Sequence, residues 1–247
     1  METSDWRTPE AQLGRRLAAG RDGTIHESGE CRVLRRLPEE RDLLVEAQVM
    51  EHARTCGYPV PEVFRVGRGE MEIERIEGRT MLDDLQRTPL RARRHGRVLA
   101  DLHRRLHALA LPATLDLPTP FGPGESLLHR DLHPANVILS PKGPVVIDWT
   151  NVSRGPGVAD VADTWIVLAC AQSDVPLVLR LAERPIRAAL RRGFLDGIDV
   201  DAVRAELHVA ALLRLADPNM RPAERAAIER FVQRETRTAN RPLDLGG

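Results

Sequence analysis

The sequence predicts an α+β fold with a small antiparallel sheet at its N-terminal end and a mainly helical remainder. Three observations carry this. Up to Ile76 the chain alternates short apolar and β-branched runs with glycine and proline turns. Beyond Ile76, apolar residues recur at helical spacing in one segment after another. A single stretch, Leu127 to Asn151, interrupts those helices with two apolar runs joined by a turn, and it holds an ordered set of polar residues.

Taken in order, Leu17 to Glu27 (LAAGRDGTIHE) reads as a strand interrupted by Gly20 and Gly23. Cys31 to Leu37 reads as a second strand after the Ser28-Gly29-Glu30 turn. Alternation puts Val33 and Arg35 on one face of that strand and Leu34 and Arg36 on the other. Glu39 to Thr55 reads as a helix, with Leu43, Ala47, Met50 and Ala53 at helical intervals, and Gly57 to Pro61 ends it. Val63 to Val66 and Met71 to Ile76 form the next strand pair. Thr80 to Leu85 opens a helix with acids in its first turn, which suits the macrodipole, and Leu90 to Leu109 is a longer amphipathic helix. His103 and His107 lie four apart on it, but no further ligand stands nearby to close a metal site, so packing or hydrogen bonding is expected of them. The proline-rich Leu111 to Glu125 is a loop. Later helices are expected from the Gly155-Pro156-Gly157 turn through Ala171, near Pro176 to Arg192, from Val200 to Ala216 and from Pro222 to Thr236.

Composition narrows the function classes. The 247 residues carry 36 basic and 36 acidic side chains, so no global field favours nucleic acid or an anionic membrane. Aromatic content of 3% leaves few platforms for base stacking. Cys31, Cys56 and Cys170 are far apart and contain no CxxC pair, which predicts reduced thiols rather than disulfides or zinc. Met1 leads into Glu2-Thr3-Ser4-Asp5 without a basic region and apolar core, and no run approaches the ~18 apolar residues of a membrane helix, so a cytoplasmic protein is expected. Lys142 is the only lysine, so arginine supplies the other 35 basic residues.

The Leu127 to Asn151 stretch reads LLHRDLHPANVILSPKGPVVIDWTN. Val137-Ile138-Leu139 and Val145-Val146-Ile147 flank Ser140 to Pro144, the pattern of a hairpin with its turn. A hairpin brings its ends together, so Asn136 and Asp148 should lie side by side although twelve residues separate them. Phosphoryl transfer needs one carboxylate to orient or accept the attacking hydroxyl and hard oxygen ligands for Mg²⁺. Asp131 suits the first role, as the catalytic residue; Asn136 and Asp148 suit the second, as metal ligands.

HRDLHPAN followed by VVIDW resembles the catalytic and metal-binding segments of the aminoglycoside phosphotransferase family, small-molecule kinases with a protein-kinase-like fold. Arg130 stands where that family commonly has a small residue. The resemblance implies a two-lobed chain, with residues 1–76 as the N-lobe and 77–247 as the C-lobe. It also implies an Mg²⁺-dependent transfer of the γ-phosphate of ATP, or of GTP, to a hydroxyl of a small molecule, with no nucleic-acid or membrane partner. In this picture the backbone around Gly20 and Gly23 faces the phosphates, although two glycines beside a turn also read as a turn alone. Val33 faces the adenine, and Arg35 occupies the place of the family's lysine. Glu46 is either the ion-pair partner of Arg35 or an exposed surface acid. YPVPEV resembles the segment that follows the corresponding family helix, which makes Glu74-Arg75-Ile76-Glu77-Gly78 the interlobe hinge, where the backbones of Glu74 and Ile76 meet the adenine edge. His129 and His133 orient the loop through hydrogen bonds. Asp160 either hydrogen-bonds the catalytic-loop backbone or is simple helix N-terminal charge.

Two rival readings stand beside this one. The missing lysine and the poor glycine loop favour a nucleotide-binding pseudokinase that acts as a regulatory module. A protein kinase is opposed by Asp148-Trp149-Thr150 in place of Asp-Phe-Gly and by the absence of a long activation segment. From Asn151 onward 13 acids face 14 arginines, so the expected acceptor is not a strongly polycationic aminoglycoside.

Overall fold

The computed structural model describes residues 2–3, 6–20, 23–170, 177–217 and 220–239. Its N-terminal part contains β1 (Glu2–Thr3), β2 (Arg16–Ala19), β3 (Thr24–Glu27), β4 (Arg32–Arg36), α1 (Leu44–Thr55), β5 (Val63–Gly67) and β6 (Glu70–Glu74). The strands form one sheet in the order β1-β5-β6-β4-β3-β2, antiparallel throughout except for the parallel β1–β5 edge. The rest comprises β7 (Arg79–Thr80), α2 (Met81–Arg87), α3 (Ala92–His107), β8 (Ser126–Leu128), β9 (Val137–Ser140), β10 (Gly143–Val146), β11 (Ser153–Gly155), α4 (Gly157–Cys170), α5 (Leu177–Phe194), α6 (Val200–Leu215) and α7 (Pro222–Ala239). This is the expected α+β arrangement. Among the described residues, no helix is long and apolar enough to cross a membrane.

Three local expectations need correcting. Leu17 to Glu27 is not one interrupted strand but parts of two, β2 and β3, because the chain reverses at the glycines. The Gly20 N–H donates to the Gly23 carbonyl at 2.9 Å. At Gly23, φ is +153° and a Cβ would stand 2.3 Å from the Arg36 carbonyl oxygen, so only glycine lets β3 start so close to β4. The second correction concerns α1, which begins at Leu44 rather than Glu39. The preceding segment is tied instead to the β5–β6 turn: Leu37 N–H donates to Gly69 O at 2.8 Å and Gly69 N–H to Arg41 O at 3.0 Å. Third, the hairpin turn is narrower than Ser140 to Pro144. Gly143 already pairs with Ser140, whose hydroxyl donates to the Gly143 carbonyl at 2.8 Å.

The N-terminal edge has no counterpart in the sequence reading. Trp6 donates its indole N–H to Val66 O at 3.1 Å, and the Arg65 guanidinium stacks 3.8 Å above its ring, which fastens this segment along β5.

In the helical part, α3 and α5 cross closely. A Cβ on Gly96 would lie 2.1 Å from Leu190 O, and one on Gly193 equally close to Arg93 O, so paired glycines bring the two backbones together. The core runs continuously from Ala47, Met50 and Met71 through Leu99, Leu106 and Leu127 to Ile166, Phe194 and Leu207. The expected helix end at Ala171 and the expected start at Pro176 lie outside the described residues.

Candidate active site

Two short antiparallel pairs frame the site. β8 pairs with β11 on one side of it, and β9 pairs with β10 on the other, with Val137 opposite Val146. Ile147 N–H donates to the Asn136 carbonyl at 3.0 Å and closes the mouth of the β9–β10 hairpin, so Asn136 and Asp148 leave the same edge as the spacing predicted. β7 adds to the free side of β9 and ties the chain leaving the N-terminal sheet to this hairpin.

Asn136 is buried and its amide settles its orientation. Nδ2 donates to the Asp131 carbonyl oxygen at 2.9 Å and to Asp131 Oδ2 at 3.0 Å. Oδ1, which makes no hydrogen bond among the described residues, is left as a hard oxygen donor. Asp148 Oδ1 accepts from the Thr150 hydroxyl at 2.8 Å, which leaves Oδ2. Among the described residues no cluster of three or more His, Cys, Asp or Glu side chains could hold a metal by itself. One amide and one carboxylate oxygen nevertheless fit Mg²⁺, which usually takes one or two protein carboxylates and completes its shell with phosphate and water.

The loop between β8 and β9 is held by side chains from several elements. His129 is fully buried; its Nδ1 accepts from Asp131 N–H at 3.3 Å and its Nε2–H donates to Ile147 O at 3.2 Å, so the ring links the β8–β9 loop to the segment before Asp148. His133 Nδ1 accepts from Ala135 N–H at 3.2 Å, which places the proton on Nε2, 3.4 Å from Asp131 Oδ2. Asp160, buried at the start of α4, accepts from Arg130 N–H at 2.7 Å, His129 N–H at 3.1 Å and His107 Nε2 at 3.0 Å. Of its two readings, the backbone-bonding one describes these contacts. Burial by itself would raise the Asp160 carboxyl; the hydrogen bond and charge of His107, with His103 and His129, hold it well below the usual carboxylate range.

These contacts maintain strained backbone. Arg130 and Asp148 have φ of +62° and +65°, the only non-glycine residues with positive φ among those described. Such conformations cost about 1–3 kcal/mol each and persist only where the surroundings impose them. One lies just before Asp131, and the other is Asp148 itself. Trp149, fully buried against Tyr58 and His129 with its N–H on Val146 O at 3.1 Å, anchors the second.

From the N-terminal sheet, Arg35 enters the same space. Its Nη1 bonds to Glu46 on α1, its Nη2 bonds to the Thr150 hydroxyl, and Nη2 lies 3.6 Å from Asp148 Oδ1. Glu46 is buried, at 6% exposure, so the surface-acid alternative does not hold. Burial pushes its carboxyl up and Arg35 opposes that push. Arg36 points the other way, toward Glu70 and the Thr8 carbonyl. Val33 is buried in β4 opposite Ile73, and Gly20 and Gly23 form the β2–β3 turn. Glu74 ends β6, and its N–H is engaged by the Glu62 carbonyl at 2.9 Å. What Glu74 can offer an adenine edge is therefore its carbonyl, with the backbone of Ile76 two residues on.

Sequence reasoning missed Arg214, in the last turn of α6. Its Nε donates to Asp163 Oδ1 at 2.6 Å; its Nη2 donates to Asp163 Oδ2 at 3.0 Å, Asp131 Oδ1 at 3.0 Å and Arg130 O at 3.4 Å. Burial would raise Asp131, but His133 and Arg214 together hold it well below the usual range. Burial pushes Asp163 up to about 6 even beside the guanidinium. Nothing local in an arginine among 14 marks Arg214; its partners are 51 and 83 residues away in the chain.

Comparison with known proteins agrees with this geometry. A family model described as the phosphotransferase enzyme family matches residues 110–195, the segment that contains the β9–β10 hairpin and α4. No curated protein matches the chain significantly. Among solved structures, the ternary complex of a thermostable mutant of aminoglycoside phosphotransferase APH(4)-Ia with AMP-PNP and hygromycin B is similar at TM-score 0.64 and 16% identity, over 92% of this chain and 94% of that one. The amicoumacin kinase hAmiN in complex with AMP-PNP, Ca²⁺ and Ami follows at 0.56 and 13%, over 94% and 90%. A choline/ethanolamine kinase family protein from Mesorhizobium loti is similar at 0.54 and 16%, over 92% and 88%. At these identities the likeness establishes the fold, which is that of the two-lobed, protein-kinase-like phosphotransferases, and the family match bears out the resemblance drawn from HRDLHPAN and VVIDW.

Proposed function

We propose that the chain is a small-molecule kinase that moves the γ-phosphate of ATP, or of GTP, to a hydroxyl of its acceptor with Mg²⁺ bound. The observation that carries this reading is the convergence of Asp131, Asn136 and Asp148 at one hairpin edge, with Arg35 reaching Asp148 from the opposite sheet. The similar structures that hold AMP-PNP beside hygromycin B or amicoumacin support a nucleotide and a small acceptor here.

In this reading Asp131 hydrogen-bonds the acceptor hydroxyl, aims it at the phosphorus and receives its proton. Its carboxylate stays ionised at every working pH, so it is a weak base. That suits a loose phosphoryl-transfer transition state, where positioning counts for more than basicity. Asn136 and Asp148 hold the Mg²⁺, whose chemistry is to neutralise charge on the phosphate oxygens. Arg35, braced by Glu46, supplies a second positive group to the phosphates, while the β2–β3 turn at Gly20 and Gly23 covers them. Val33 lines the adenine side and the Glu74 carbonyl and Ile76 backbone pair with its edge. The division into residues 1–76 and 77–247 and a cytoplasmic location belong to the same proposal.

The alternative, a nucleotide-binding pseudokinase, is favoured by one specific feature, arginine where a lysine normally holds the phosphates. Calorimetric titration of ATP with and without Mg²⁺ separates the roles. Asp148→Ala is expected to lose the Mg²⁺-dependent part of nucleotide affinity, and Asp131→Asn to keep it while losing transfer. Full Mg²⁺-dependent affinity in Asp148→Ala contradicts the metal assignment. Tight Mg²⁺-nucleotide binding without transfer to any acceptor in a panel of sugars, amino alcohols and antibiotics selects the pseudokinase.

A further inference from the structure

Arg214 touches the residue assigned to the acceptor hydroxyl, and it does so from a helix that belongs to neither the hairpin nor the N-terminal sheet. The two oxygens of Asp131 have different keepers: Oδ2 takes the Asn136 amide at 3.0 Å, on the metal side, and Oδ1 takes Arg214 Nη2 at 3.0 Å, on the α6 side. Asp163, 3% exposed, grips the same guanidinium through both of its oxygens and fixes its plane. Arg214 Nη1 then has no partner among the described residues, and it is not among their sealed, unsatisfied buried atoms. A guanidinium edge with its donors unused therefore opens beside the catalytic carboxylate.

An acceptor hydroxyl within hydrogen-bond reach of Asp131 brings its neighbouring atoms close to that edge. An oxygen there gains a charge-assisted hydrogen bond. An ammonium there has no lone pair to accept the Nη1 donors, and the carboxylate oxygens nearest that edge already accept from Arg214. Gaining or forgoing that charge-assisted hydrogen bond amounts to a discrimination on the order of tenfold to hundredfold.

We propose that Arg214 determines acceptor specificity. Its Nη1 edge binds an oxygen adjacent to the phosphorylated hydroxyl, and the acceptor is a neutral or anionic oxygen-rich compound, a polyol, sugar or hydroxy acid, rather than an amine-bearing one. The inference rests on the phosphotransfer reading and refines it. Arg214 also acts as a positioning residue for Asp131 by holding Oδ1.

The test uses the full chain with Mg²⁺-ATP and three acceptor sets: sugars and sugar alcohols, hydroxy acids, and kanamycin-like polycations. Phosphorylated product is followed by mass spectrometry and ADP by a coupled assay, for wild type, Arg214→Gln and Arg214→Lys. Wild type is expected to favour the first two sets by at least tenfold in kcat/KM over the polycations. Arg214→Gln should shift that preference ratio by tenfold or more toward amine-bearing acceptors, and Arg214→Lys, which keeps the charge, should retain the wild-type ratio. If Arg214 merely stabilised the fold, every acceptor would lose alike, so an unchanged ratio in Arg214→Gln overturns the proposal. Preferred turnover of polycations by wild type overturns it as well. A chain that neither binds Mg²⁺-nucleotide nor transfers phosphate to any set removes the phosphotransfer reading itself, and Arg214's role with it.

Discussion

Removing the Arg35 guanidinium tests the phosphate-binding role proposed for the N-terminal sheet. The group is 12% exposed and its two terminal nitrogens reach different partners, Nη1 to Glu46 and Nη2 to Thr150 and the vicinity of Asp148. Arg35→Ala leaves Glu46, at 6% exposure, as a buried carboxylate without its principal cation; Arg41 at 3.9 Å is half-exposed and offsets little. Breaking a buried pair from one side costs about 3–5 kcal/mol when the remaining charge persists. Glu46 can escape part of that by taking up a proton, since burial already pushes its carboxyl up. A stability loss of about 2–3 kcal/mol is therefore expected, a drop in Tm of roughly 4–12 °C for a chain of this size. In the proposed function Arg35 also contacts a phosphate, and losing that contact adds about 2–4 kcal/mol to the barrier in kcat/KM, roughly 30- to 1000-fold. Arg35→Lys keeps the charge but not the fork, so it can hold Glu46 or reach toward Asp148 but not both; it should fall between. Arg36→Ala, on the opposite face, leaves the fully buried Glu70 without its cation and so should also lower Tm, but it does not reach Asp148 and should leave kcat/KM for ATP within about twofold. Steady-state kinetics in ATP with thermal melts of all three variants decide the matter. Wild-type kcat/KM in Arg35→Ala would remove Arg35 from the mechanism, and an equal loss in Arg36→Ala would show that the effect is not specific to the inner face.

Two further outcomes follow from buried groups. Asp160→Asn keeps one acceptor oxygen and sets an NH₂ against the N–H of either His129 or Arg130, so it should lose about 2–3 kcal/mol in urea unfolding and also lower kcat through the released Arg130 backbone; a loss under about 0.5 kcal/mol contradicts the bracing role. His103 is buried with Nδ1–H on Leu99 O at 2.8 Å, and burial lowers its pKa from 6.5 to about 4. The unfolded chain therefore binds that proton first, and stability present above pH 6.5 is lost as pH falls toward 4, by about 3 kcal/mol. Urea midpoints of wild type and His103→Leu across that window check the sign: the variant should show a shallower acid limb, and identical slopes would discount His103.

Much of the site was legible in the chain because its parts are local. Asp131, Asn136 and Asp148 lie within one 18-residue span, and the turn between two β-branched runs forces the last two together whatever the rest of the protein does. Alternation along β4 separated Arg35 from Arg36 for the same reason, since the period of a strand is a property of its backbone. The helices after Ile76 were visible from apolar spacing alone, with ends displaced by a few residues where capping and loop bonds decided them.

What only the tertiary structure decided are contacts across long separations, where no local spacing constrains the partners. The reversal at Gly20 and Gly23 depends on the Arg36 carbonyl, 13 residues from Gly23, which leaves no room for a Cβ. The N-terminal edge depends on Trp6 finding Val66. The burial of Glu46 follows from α1 packing over the sheet, which turns an acid that also reads as a surface group into the partner of Arg35. Arg214 shows the limit most clearly. One arginine among many in a helical, charge-balanced region acquires its meaning from α6 packing on α4, which carries its guanidinium to Asp163 and on to Asp131. Backbone periodicity and turn chemistry act over a few residues and can be read from sequence. The partner of a buried charge is chosen by which elements pack together, and that is settled only when the chain has folded.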